Sequence, residues 1–86
     1  MNRAEAGDHL QAGGELDGLV LTKEGLVVAR GKVRWEGTTL SAIRDARATH
    51  IQLAMSGDKL EVPLVEPVLC KQGHPVEIKF GPKWRA

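Results

Sequence analysis

Apolar and polar positions alternate most strictly over residues 49–64, THIQLAMSGDKLEVPL. Ile51, Leu53 and Met55 occupy every second position, and so do Leu60, Val62 and Leu64. Ser56, Gly57, Asp58 and Lys59 separate the two runs. Period-two patterning on both sides of a Gly/Asp turn predicts an antiparallel hairpin with one buried face. Placing Met55 opposite Leu60 brings all six apolar side chains to that face. A slip of one residue would turn one strand's apolar set to water, so the register is well determined.

The same reading extends along the chain. Leu19, Val20 and Leu21 form a short apolar run, residues 22–25 a turn, and residues 26–29 the return strand, so residues 18–30 predict a first hairpin. Beyond Gly31 the parity continues. Ala29, Val33 and Trp35 share one face, and Arg30, Lys32 and Arg34 the other. Gly31 inside this run suggests a bulge or a close approach of another backbone. Residues 40–48, LSAIRDARA, carry three alanines and two arginines, with Leu40 and Ile43 three apart. They predict one or two turns of helix. After the central hairpin Pro67 is expected to break the ladder. Residues 68–70 then make a short strand, and Val76, Ile78 and Phe80 mark a last one.

The fold class that follows is mainly β: a small antiparallel barrel or sandwich of six to seven short strands, with at most one short helix at about residues 40–48. Residues 1–14 lack a sustained period and are expected to be a flexible arm. Residues 15–82 form a single β domain, and residues 83–86 a C-terminal tail.

Composition narrows the chemistry. Phe80, Trp35 and Trp84 are the only aromatic residues, so the core must be aliphatic. A chain of 86 residues buries a modest share of its surface, which favours gaining burial by self-association, most simply as a homodimer. Cys70 is the only cysteine. No internal disulfide can form, and a reducing, cytoplasmic setting is the expectation. No apolar run is long enough for a membrane helix, and the first residues do not resemble a signal peptide.

The net charge of +1 is unevenly placed. Residues 1–29 carry −3 and residues 30–86 carry +4. Acidic front and basic back can attract within one chain or between two.

Few residue sets suggest chemistry. Cys70 and His74 are four apart, but with His9 and His50 they fall short of the paired spacings of a structural zinc site. No family-type context marks Cys70 as a nucleophile, and no Gly-rich phosphate loop is present. No catalytic residue, metal or cofactor is assigned. The best candidate is the basic stripe of Arg30, Lys32 and Arg34, about 7 Å apart along one strand face. Arg44, Arg47 and Lys83 are the next cations. Such a row can follow a phosphate backbone, although aromatic platforms for bases are few. Trp84, flanked by Lys83 and Arg85, is a candidate interaction residue.

The function expected is a non-enzymatic β-barrel interaction module: a self-associating subunit or an adaptor with a protein partner. The alternatives are weak, sequence-nonspecific nucleic-acid binding by the basic face, and small-molecule binding.

Overall fold

A computed structural model of the chain describes residues 1–36 and 38–78. Its elements are α1 (Arg3–Gln11), β1 (Leu16–Leu21), β2 (Val27–Val33), β3 (Thr39–Ala42), β4 (Ala46–Met55), β5 (Asp58–Cys70) and β6 (Pro75–Val76). The six strands form one antiparallel sheet in the order β5-β4-β1-β2-β3-β6. The sheet curls into a half-barrel, so the mainly β expectation holds. Among the described residues no ladder joins β5 to β6, and both remain edges.

The central hairpin is β4–β5. Its register pairs Met55 with Asp58, Leu53 with Leu60 and Ile51 with Val62. The loop is therefore two residues, Ser56 and Gly57, rather than four. Both have positive φ, 51° and 84°, as a type I′ turn requires. The expected pairing of Met55 with Leu60 is off by two, and an even slip preserves faces. Ile51, Leu53 and Val62 are buried, while Leu60 and Leu64 pack against the core. Met55 is the exception. It stands beside the turn at the end of the hairpin and is 41% exposed.

The first hairpin, β1–β2, turns through residues 22–26. The Thr22 hydroxyl accepts the Leu26 N–H at 3.1 Å, and the Gly25 N–H donates to the Thr22 carbonyl at 2.9 Å. Inward positions are Leu16, Gly18 and Val20 on β1 and Val33 and Ala29 on β2; Leu40 and Ala42 of β3 and Val76 of β6 extend the same buried layer.

The helix expected at residues 40–48 is absent. Leu40 and Ala42 are buried and alternate with exposed Thr39 and Ser41, which is strand parity. A bend at residues 43–45 then leads into β4. The Ile43 N–H bonds the Val28 carbonyl at 2.9 Å, and the Asp45 carboxylate accepts the Gln72 N–H at 2.7 Å. Sheet pairing and burial override the helical preference of alanine and arginine.

The helix lies instead in the stretch expected to be a flexible arm. Asn2 caps α1, its side chain accepting the Glu5 N–H at 2.9 Å while Glu5 reaches back to the Asn2 N–H at 3.3 Å. Ala6 and Leu10, four apart, are fully buried in the common core. The Met1 amino group sits 2.6 Å from Asp58 at the start of β5. The far end of the helix lies beside Trp35, just after β2. The starts of β1 and β5 and the end of β2 are at one end of the sheet, so α1 closes that end of the half-barrel.

Pro67 does not end the strand. β5 continues to Cys70 and carries Pro63 and Pro67 because it is an edge. The register jumps between Ala48–Val68 and His50–Pro63. Leu64, Val65, Glu66 and Pro67 thus face only Thr49 on β4 and form a large, irregular bulge.

Candidate binding surfaces

The outer face of the sheet holds the basic stripe. In register, one row crosses it as Glu61, Gln52, Leu19, Arg30, Ser41 and Pro75. The neighbouring row runs Lys59, Ala54, Asp17, Lys32 and Thr39. Arg30, Lys32 and Arg34 are all exposed on this face, as their parity predicts.

Two of the three cations are already engaged. Lys32 pairs with Asp17, its direct partner across the β1–β2 ladder, and Arg34 pairs with Glu15. The hydrogen bond to Asp17, helped by that carboxylate's charge, raises the Lys32 amine above its ordinary pKa. The acidic front and basic back of the chain thus meet inside one molecule. Arg30 makes no ion pair with a described residue and is bracketed in register by neutral Leu19 and Ser41. Arg44 lies in the bend before β4, and Arg47 stands on β4 opposite Leu69. Neither is in register with the stripe, and they share no helical face. Lys83 and Trp84 lie outside the described residues.

His9, His50 and Cys70 make local contacts, and His74 contributes backbone groups. The His9 Nε2–H donates to the Glu15 carbonyl at 2.9 Å, fastening the end of α1 to the start of the sheet. The Thr49 hydroxyl lies 2.8 Å from His50 Nδ1. His74 is exposed in the turn before β6, where its carbonyl accepts the Ala42 N–H at 3.0 Å. Cys70 is buried, with Sγ 4.0 Å from the Val68 carbonyl oxygen. No group of three or more potential ligands converges on a metal position among the described residues.

Burial pushes the Cys70 thiol above its ordinary pKa. At pH 8 less thiolate is present than on a free cysteine, and reagents must wait for the end of β5 to open. A disulfide reagent such as DTNB should therefore label folded protein at least about tenfold more slowly than urea-unfolded protein. Equal rates would show that Cys70 is accessible.

The feature that the sequence pattern does not reveal is the outer edge of β5. Val65, in the bulge, is completely exposed at 101%, and Leu69 is 80% exposed. Val65, with Leu64, Val68 and Ile78, borders an open groove between β5 and the segment after β6, along with Glu66 and Glu77. Alternation alone places Leu69 in an ordinary strand. Leu69 is exposed because it stands on the outer face, opposite exposed Arg47 on β4, while Cys70 beside it turns inward. No helix among the described residues is long and apolar enough to cross a membrane.

No family model matches this chain, and no curated protein or solved structure matches it either.

Proposed function

We propose that this domain is a non-enzymatic assembly module that self-associates through the open edge of β5. The observation that carries the reading is the exposure of Val65 and Leu69 on an edge that no other strand covers among the described residues. Exposed apolar side chains on an unpaired edge mark association surfaces. The N-terminal segment packs against its own sheet through Ala6 and Leu10. The nucleic-acid reading has weaker support, because Asp17 and Glu15 already neutralise Lys32 and Arg34.

The magnitudes favour a modest affinity. A two-fold interface repeats each contact, so four aliphatic side chains become buried. At roughly 1.5–3 kcal/mol each they contribute about 6–12 kcal/mol. Association costs about 4–15 kcal/mol in lost freedom. Apolar burial alone therefore gives a weak dimer, and the unpaired backbone groups of the edge must add to it.

Sedimentation equilibrium from low to high micromolar concentration tests this. A concentration-dependent rise from the monomer to the dimer mass is expected. Val65→Asp should abolish the rise while leaving stability within about 0.5 kcal/mol, since the site is fully exposed. A monomer at high micromolar concentration would overturn the proposal.

A further inference from the structure

We infer that two copies meet outer face to outer face along β5, the strands antiparallel, with Pro63, Val65, Pro67 and Leu69 of each packed on those of the other and no shared ladder; this rests on the edge-assembly reading above and gives it a geometry. The row follows from the parity of β5. Val62 and Cys70 are buried, and Leu60, Leu64 and Val68 are half-buried, so the even positions turn inward. Glu66, in the bulge, is the exception. Glu61, Pro63, Val65, Pro67 and Leu69 are all exposed. An unbroken apolar row therefore runs from Pro63 to Leu69, with Val65 and Leu69 in it.

The backbone of the same stretch resists extension of the sheet. Ser56 and Gly57 make a two-residue loop, so the flanking Met55 and Asp58 are a hydrogen-bonded pair. Alternation then directs the backbone groups of Leu60 and Val62 toward β4, and those of the odd residues toward the open side. Pro63 and Pro67 are two of those odd residues. Each shows the open side a carbonyl and, where an N–H would be, a ring carbon. A strand added across residues 63–69 would meet both rings, which is how proline blunts an edge. The exposed side chains remain free to mate.

Charges set the direction. Glu61 stands at one end of the apolar row. At the other end are Lys71, just past β5, and Arg47, the neighbour of Leu69 on β4. All three are exposed, and none forms an ion pair with a described residue. A two-fold axis at the middle of the row lays Val65 on the partner's Pro67 and Pro63 on the partner's Leu69. It also brings Glu61 of each copy to the partner's Lys71 and Arg47. Parallel strands would instead set Glu61 against Glu61. The same arrangement places the partner's Arg47 beside Pro63, whose open-side carbonyl is an acceptor for it, so the backbone of the edge contributes without a ladder.

Pro67→Ala, measured by sedimentation equilibrium, separates the two geometries by sign. It restores an N–H to the open edge and removes ring carbons from the row. Face packing predicts a dimer about three- to tenfold weaker, whereas a shared ladder predicts a tighter one. Pro63→Ala repeats the comparison at a second site. Glu61→Lys should weaken the dimer about tenfold, since it creates two like-charge contacts. Added salt should weaken the wild-type dimer. Thermal melts of each variant check that the monomer fold persists. If the proline variants dimerise as well as wild type or better, or Glu61→Lys changes nothing, while Val65→Asp still dissociates the dimer, this geometry is wrong and edge assembly stands. If wild type is a monomer, both fall.

Discussion

Leu53→Ala is expected to destabilise the domain by about 2–5 kcal/mol, toward the upper part of that range. Leu53 is 0% exposed on β4, with β5 on one side and β1 on the other. Its partner on β5 is Leu60, and its partner on β1 is Gly18, which has no side chain to swing into a void. Gly18 cannot be enlarged to compensate either, since a Cβ there would stand 2.5 Å from Val33 Cγ2 and 3.3 Å from Leu40 Cδ2. The site is thus poor at collapsing, and the residual cavity sets the cost. A domain of this length has roughly 4–13 kcal/mol of stability to lose. At about 4–8 °C per kcal/mol, the melting temperature should fall by ~10 °C or more. Urea and thermal denaturation followed by circular dichroism measure it. Met55→Ala, at the exposed end of the same apolar row, should cost less than about 1 kcal/mol. Equal effects from the two variants would show that the hairpin's buried end is misassigned.

Much of the fold is written in parity, and parity survives errors of register and turn length. Leu53 and Ile51 are inward whichever even register is chosen, so a two-residue slip leaves the core assignments intact. The helix expected at residues 40–48 fails because alanine and arginine preferences are small, while burying Leu40 and Ala42 at alternate positions is worth more. Helix α1 is legible in principle. Asn2 and Glu5 have the spacing of a reciprocal cap, and Ala6 and Leu10 are one helical turn apart. Yet a single large apolar residue gives almost no periodic signal, and the helix owes its stability to docking on the sheet, which is a tertiary contact. The association surface is less legible still. Nothing in VEPVLC distinguishes an edge strand from an internal one except its proline, and proline suggests a break in the strand just as readily. Likewise, the stripe of Arg30, Lys32 and Arg34 is visible in the alternation, but its neutralisation by Asp17 and Glu15 depends on the β1–β2 register.

Gly31→Ala should be as damaging as any single methyl addition in this chain. Gly31 lies in the interior of β2, paired with Gly18 on one side and Leu40 on the other. Its φ of +156° is one that residues with a side chain rarely adopt. A Cβ at this position would lie 3.0 Å from Leu40 Cα and 3.0 Å from the Thr39 carbonyl carbon, and nearer still to the Thr39 oxygen. These are backbone atoms of the adjacent strand, so no rotamer change relieves the clash. Relief requires β3 to move away from β2, which draws buried Leu40 and its partner Val76 out of the core. Overpacking and backbone strain together put the cost at about 2–6 kcal/mol, a large part of the total stability. Gly57→Ala is the control. Gly57 also has positive φ, +84°, but no atom lies within 4 Å of its added Cβ. There only the backbone preference is lost, about 1–2 kcal/mol. Paired urea titrations should separate the two variants, and amide exchange should show protection lost first along β3 and β6 in Gly31→Ala. Equal stability of the two variants would mean that β2 and β3 do not approach this closely at Gly31.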